Sequence, residues 1–328
     1  MRITTWSKDE RSELANMIRR DQPIHLTVAR VSDRGHRARR NLRIDEIAPL
    51  CDSLIFEDPK FANAADLYSA PPAQSGCDAQ VTAIIPCNRG MPIGIKALQS
   101  QDVDIDIRVF SNGDGPHDVP GARVVRAKWE GHGPTRARAI DDVETEYVLF
   151  TVDDAMPLGQ GCIRTLVEAL ETGGWEAAVA RQIPWPDADA VTAARLRKWT
   201  PPGHKVVPME QTDHVATLYR TETLRRFPVP PRPIAEDAWW SRGRRVAYVP
   251  AAPVLHSHTR HPKTLFVRNR DIHKELVAMG NAPAIPHLGA AVAALPGVVR
   301  PTLAYGPMEL MNQLAEIAGQ WRGAVIAR

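Results

Sequence analysis

The sequence predicts an α/β protein: a doubly wound, mostly parallel sheet with helices on both faces, a small N-terminal αβ appendage and C-terminal helices. Two observations carry this. Between residues 80 and 154, apolar runs of strand length alternate with short helical stretches, the pattern of a parallel sheet covered on both sides. One such run, Tyr147 to Val152, ends directly on two carboxylates, Asp153 and Asp154. In an open α/β sheet, ligands bind beyond the carboxyl ends of strands. Adjacent carboxylates there must repel each other or share a cation. A hard divalent ion with oxygen ligands, which commonly also holds substrate phosphates, meets that need. A helix start near Pro157, capped by Asp153 or Asp154, is the alternative reading.

The elements follow in order. VTAIIP is a continuous apolar strand, broken by CNRGMP. Ile93 to Ser100 has helical apolar spacing. IDIRVFSNGDG is a second strand running into a Gly/Asp/Asn turn, and ARVVRA is a third, shorter one. Thr135 to Val143 reads as an Arg- and Ala-rich helix, and the fourth strand delivers the acidic pair. Further on, a proline-rich approach, FPVPPRPIAED, leads to a second acidic pair, Glu236 and Asp237, followed by Trp239 and Trp240. Val246 to Leu255 is another strand, after which come His256, His258 and His261. Two histidines at i and i+2 on an extended segment point the same way, and imidazole is a common metal ligand. A plain surface cluster of histidines is the alternative.

Five segments in this order resemble the family-two inverting glycosyltransferases, nucleotide-diphospho-sugar transferases of the GT-A fold. They are AIIPCNRGMPIGIKALQSQ, IDIRVFSNGDG, GHGPTRARAIDDVETEYVLFTVDDAMPLGQGCIRTLVEAL, HVATLYRTETLRRF and IAEDAWWSRGRRVAYVPAAPVLHSHTR. The resemblance spans residues 80 to 260. It implies a catalytic domain over 80–261, flanked by an appendage and linker (1–79) and a helical extension (262–328).

It also implies roles. Pro86, Cys87 and Asn88 open the nucleotide pocket. Ser111 stands where the family usually has an Asp for the base or ribose, with Asn112 and Asp114 close by. Turn-building alone would also account for Ser111, Asn112 and Asp114. Arg136 and Arg138 lie where the family places basic or polar residues near the nucleotide, and Arg forks match phosphate oxygens; a solvated helix face is the plainer account. TVDD resembles the family's metal motif, so Asp154 is the direct ligand of Mg2+ or Mn2+ and Asp153 meets the sugar or ribose. Asp237 is the base that takes a proton from the acceptor hydroxyl, with Glu236 as a positioning neighbour. His256, in preference to His258, joins the metal. Trp239 or Trp240 stacks on a sugar; adjacent helical residues point about 100° apart, so at most one faces the site.

The expected activity is therefore metal-dependent, inverting, hexosyltransferase-type transfer from a nucleotide-diphosphate donor to a hydroxyl acceptor, glycan or lipid-linked. A nucleotidyltransferase is the enzymatic alternative, weakened because PCNRGMPIG lacks a glycine run. A degenerate member that binds a nucleotide-sugar or a partner without turnover is the other, kept open by Ser111.

Composition sets broad bounds. The chain of 328 residues is 44% hydrophobic and 24% charged, with a formal net charge of +3, which makes no demand for a nucleic-acid partner. Cys51, Cys77, Cys87 and Cys162 have no paired metal spacing, and their scatter suits a reducing, cytoplasmic setting. The charged N-terminal stretch has no apolar signal core. No apolar run reaches spanning length; LGAAVAALPGVV is broken by Pro296.

The appendage reads as a helix, a strand IHLTVARV, a basic loop RGHRARR carrying Arg34, Arg37, Arg39 and Arg40, a helical LRIDEIAPLCDSLIF and a linker SAPPAQSG. At the other end, KTLFVRNRDIHKELVAMG is a helix stopping at Gly280. PMELMNQLAEIAGQWRG is a second, from Pro307 to near Gly323, with Met308, Leu310, Met311, Leu314, Ile317 and Ala318 near one face. Such a face packs on the domain, on another subunit as a homo-oligomer, or on a membrane as a peripheral contact.

Overall fold

The computed structural model describes residues 1–3, 6–28, 43–57, 67–281 and 307–327. The basic loop with Arg34, Arg37, Arg39 and Arg40, and the segment LGAAVAALPGVV, lie outside the described residues.

The N-terminal unit is a small parallel sheet in the order β1 (Arg2–Ile3), β2 (His25–Val28), β3 (Ser53–Phe56). Helix α1 (Lys8–Arg19) covers it. Ser7 opens α1 through a capping box with Glu10. Ile3, Leu14, Ile24, Leu26 and Ile47 form its core. The stretch read from sequence as one helix, LRIDEIAPLCDSLIF, divides. Helix α2 (Ile44–Ile47) passes into a 3₁₀ turn over Ala48–Leu50, and SLIF becomes β3. Pro49 cannot continue an α-helix, and SLIF gains a ladder by pairing with β2.

The main sheet holds β4 (Gln80–Arg89), β5 (Asp104–Asp114), β6 (Arg123–Arg126), β7 (Tyr147–Thr151), β8 (Met156–Pro157), β9 (Ala177–Ile183), β10 (Val207–Met209), β11 (Ala216–Arg220) and β12 (Val246–Leu255). Its order is β10-β12-β9-β11-β7-β4-β5-β6, with β8 attached to β12. β6, β5, β4 and β7 run parallel. β11 is antiparallel to both β7 and β9, so β9 and β12, parallel to each other, run in the direction of β4. The long strands are thus parallel apart from β11. The chain turns from one side of β4 to the other between β5 and β7, a topological switch point that opens a crevice at the carboxyl ends of β4 and β7.

Helices cover both faces. They are α3 (Ile95–Gln99), α4 (His132–Ala139), α5 (Cys162–Gly173), α6 (Ala190–Trp199), α7 (Thr221–Arg226) and α8 (Glu236–Ser241). Side chains alternate across each strand. Val81, Ala83, Ile85 and Leu149 face Ile163, Leu166 and Leu170 of α5. Ile84, Val148 and Phe150 face Ala139, Leu224 and Trp240. Buried on both sides, β7 reads as YVLFT with no polar alternation.

The C-terminal helices α9 (Pro262–Ala278) and α10 (Pro307–Ile326) pack together along their length. Gly280, at φ +74°, follows α9 as expected. Gly323 does not end α10. It is a close-approach glycine: a Cβ there would stand 2.2 Å from the Arg270 carbonyl oxygen, and one on Gly319 would stand 2.4 Å from that of Phe266. The buried face of α10 is Glu309, Asn312, Glu316, Gly319 and Gly323. Met308, Met311 and Leu314, expected to share an apolar face, are exposed, with Trp321 and Val325. Small residues facing α9, and carboxylates paired with Arg195 and Arg260, turn the polar side inward.

Candidate active site

The two acidic pairs reach the carboxyl edge of the sheet by different routes. β7 ends at Thr151, and Asp153 and Asp154 follow. No helix begins there: α5 starts at Cys162 behind Gly161, with no side-chain cap. The chain instead forms β8, which pairs antiparallel with the end of β12, Met156 opposite Leu255. In that register the residues preceding Met156 lie beside those following Leu255. Asp154 therefore meets the histidines.

Asp154 Oδ1 is 3.5 Å from His256 Nε2, and its Oδ2 is 3.1 Å from His258 Nδ1. One donor atom from each of the three residues falls within 4.8 Å of the others. Burial alone would push the Asp154 carboxyl up. The imidazoles of His256 and His258 beside it, when protonated, outweigh burial and hold Asp154 well below the usual carboxylate range. Asp153 is raised by burial and by the charge of Asp154. Two imidazoles and a carboxylate are a donor set for a divalent ion. The fit has its own marker: His256 Nε2 is buried without a hydrogen-bond partner, as a nitrogen awaiting a ligand would be.

Glu236 and Asp237 open α8. The residue before them, Ala235, is in the left-handed region at φ +59°, a conformation that costs a non-glycine residue about 1–2 kcal/mol and is found where surroundings impose it. The surroundings here are tight. His132 N donates to the Pro233 carbonyl at 3.1 Å and Gly133 N to that of Arg232 at 3.2 Å. Any Cβ on Gly131 or Gly133 would collide with this loop. Glu236 is buried, accepts from Arg136 Nη1 at 2.5 Å and lies 3.0 Å from His214 Nδ1. Burial opposes its ionisation, but the Arg136 charge and the His214 hydrogen bond hold it low. Asp237 moves the other way. Burial raises it first, then the charges of Glu236 and Asp213. Two neighbouring carboxyls are thus driven apart, one fixed as an anion and one poised to carry a proton, as in acid–base pairs generally.

Other expected site residues divide. Pro86 and Cys87 are buried at the end of β4, and Asn88 is exposed. Burial and then the Asp153 charge push the Cys87 thiol up to about 11. Ser111 and Asn112 are buried in β5. Ser111 Oγ accepts from Arg126 Nη1 at 2.8 Å, so its hydroxyl is engaged within the turn. Asn112 Nδ2 donates to the Phe110 carbonyl at 3.0 Å, while its Oδ1 has no partner.

Three expectations need correction. Arg136 does not present its fork to solvent; it is buried against Glu236, which makes it an anchor for α8. Arg138 lies on the solvated helix face, 3.5 Å from Glu130. Trp240 is a core residue, edge-on to Tyr219 and donating to the Phe227 carbonyl, so it cannot stack on a sugar. Trp239 is half-buried, with Arg232 over its ring at 4.7 Å and its indole N–H donating to Glu275.

The sequence reading missed Gln182, Asp213, His214 and Trp185. Gln182 sits in a mostly apolar strand, and His214 opens the HVATLYR segment without any neighbouring residue that marks it as part of a site. Trp185 follows β9 and lines a cleft of about 1870 Å³ between the N-terminal unit and the main sheet, which reaches His258 and includes Arg19, Met156 and Arg260.

A solved structure shares this fold. The mannosyltransferase PcManGT from Pyrobaculum calidifontis, in complex with GDP-Man and Mn2+, aligns over 86% of this chain and 94% of its own, with a TM-score of 0.50 and 13% identity. The chain has the GT-A fold. GT-A topology accounts for the strand order. S. aureus TarS 1-349 in complex with UDP aligns over 60% of this chain and 65% of its own (TM-score 0.39, 14% identity). GalNAc-T7 with UDP, GalNAc and Mn2+ aligns over 55% and 43% (0.43, 11%). At those scores neither adds to the assignment. No family model and no curated protein matches the chain.

Proposed function

We propose that this GT-A chain is a metal-dependent inverting glycosyltransferase, of hexosyltransferase type, using a nucleotide-diphosphate sugar and a hydroxyl acceptor. The observation that carries the reading is the cation-ready cluster of Asp154, His256 and His258 beyond the end of β7, and the proton-poised carboxyl of Asp237 supports it. The GDP-Man and Mn2+ bound by PcManGT support the donor class.

In this reading Asp154, His256 and His258 hold the ion. When bound, it supplies Lewis-acid neutralisation of the leaving diphosphate. Asp237 accepts the proton of the acceptor hydroxyl as that oxygen bonds to the anomeric carbon. The bond from that carbon to the diphosphate oxygen breaks in the same displacement, and the nucleoside diphosphate leaves with the electron pair. One in-line displacement inverts the centre. Glu236, fixed by Arg136, holds the first turn of α8 in place. The acceptor is a glycan or a lipid-linked hydroxyl. A cytoplasmic setting suits the reading; among the described residues no helix is long and apolar enough to cross a membrane.

Thermal shift with UDP, dTDP, GDP, CDP and ADP tests this, each with a divalent ion or chelator. A ligand bound only by the folded state raises the midpoint. One nucleotide is expected to give a shift that needs metal and is lost in Asp154→Ala. Because two of the three donors are imidazoles, Mn2+ is expected to outperform Mg2+. No metal-dependent shift with any nucleotide would remove the reading. A shift without sugar transfer would leave a non-catalytic binder.

A further inference from the structure

Gln182 is the penultimate residue of β9, buried and polar in a strand otherwise mostly apolar. Its amide bridges two groups. Nε2 donates to Asp213 Oδ2 at 2.6 Å, and Oε1 lies 2.9 Å from His256 Nδ1. The orientation of this amide follows from chemistry. A carboxylate only accepts, so the NH2 end must face Asp213. The oxygen end then faces His256 and can only accept, so Nδ1 must carry the imidazole proton. In the neutral imidazole, the form that can ligate a cation, Nε2 is then left as a lone pair. That is the buried, unpartnered nitrogen turned toward Asp154.

We infer that Gln182, itself set by Asp213, is a positioning residue that fixes the tautomer and ring orientation of His256 so that Nε2 is presented to the cation. This rests on the metal reading above and deepens it. Without the bridge, His256 has no fixed acceptor for Nδ1–H. Its Nε2 is then free to take the proton and donate to Asp154, which removes a ligand atom from the site. Outer partners that orient a ligating imidazole commonly account for about 10–100-fold in metal affinity.

Two measurements test the inference on the full chain. The first is Mn2+ binding, followed by loss of the free-ion EPR signal. The second is the imidazole 15N spectrum of the metal-free protein, which distinguishes the tautomers. Gln182→Leu keeps the volume and removes the acceptor. It is expected to weaken Mn2+ binding about 10–100-fold and to move His256 away from a pure Nδ1–H form. Asp213→Asn frees the amide to flip and is expected to do the same in smaller degree. The exchange Gln182→Glu with Asp213→Asn restores the chain: the new amide at 213 donates to the new carboxylate at 182, whose other oxygen accepts from Nδ1. That double variant is expected to recover both signals, which a general packing defect would not. Wild-type Mn2+ affinity and an unchanged Nδ1–H tautomer in Gln182→Leu would overturn the inference. If instead wild type and Asp154→Ala bind Mn2+ equally poorly, the metal reading itself fails. The 15N spectra still decide whether Gln182 sets the tautomer.

Discussion

The residue scale is where neighbouring side chains of one type take opposite parts. Arg136 and Arg138 stand two positions apart on α4, yet one is buried against Glu236 and the other half-exposed beside Glu130. Arg136→Ala leaves a buried carboxylate unpaired and is expected to destabilise by about 3–5 kcal/mol. Arg138→Ala is expected to stay within about 0.5 kcal/mol; chemical denaturation distinguishes them. Glu236 and Asp237 differ in the same way. An unfolded Asp titrates near about 3.9, and the folded state holds the Asp237 proton more tightly than that. The resulting stabilisation is full below the unfolded value and is lost as pH rises through the native one. Asp237→Asn is therefore expected to abolish transfer and to be more stable than the parent at pH 8, with the gap closing below about pH 4. The acid limb of wild-type activity is expected above the ordinary carboxylate range. A limb near pH 4 would remove Asp237 as base. The acidic residues were legible because carboxylates at a strand end and behind a proline-rich loop are rare enough to notice. Arg136 was not, since sequence cannot tell an arginine facing a pocket from one facing a core.

At the scale of elements, the site depends on a strand of two residues. β8 is too short to be read from propensity, and its partner β12 lies far along the chain. Only the fold shows that their register sets Asp154 beside His256. Two of the strands before it, β4 and β7, were legible because they are buried on both faces and so appear as apolar runs. The loop before α8 shows the same dependence on distant partners. The glycines of GHGP, at the start of α4, let this turn and the loop before α8 approach within hydrogen-bond reach. Gly133→Ala places a Cβ 2.2 Å from the Arg232 carbonyl oxygen. Overpacking of this kind costs about 1–3 kcal/mol, and here it also displaces the segment leading to Asp237. The expected signature is a fall in kcat larger than the loss of stability accounts for, with Mn2+ binding unchanged.

For the whole molecule, the parts differ in how strongly sequence dictated them. The mostly parallel sheet followed from alternation of strand and helix, and its GT-A identity from the resemblance of five ordered segments. The facing of α10 did not, because helical periodicity marks an apolar stripe without saying whether it turns in or out. Buried pairs with Arg195 and Arg260, and two close-packed glycines, decided it. Met311→Ser with Trp321→Ser is accordingly expected to leave the thermal midpoint within about 2–4 °C of the parent, which differential scanning calorimetry checks. A large drop would mean that this stripe is buried in solution, as in a homo-oligomer.

Arg181 precedes Gln182 on β9 and points to the opposite face. There its guanidinium donates to the Asp45 carboxylate at 2.6 Å and to the Asp45 carbonyl at 3.0 Å. The N-terminal unit thus supplies the counter-charge for a cation embedded in the main sheet, one peptide bond from the residue that orients His256. A chain trimmed to residues 80–261 would keep Arg181 and lose the carboxylate it is buried against. The span marked by sequence resemblance and the span closed by charge pairing thus fall in different places.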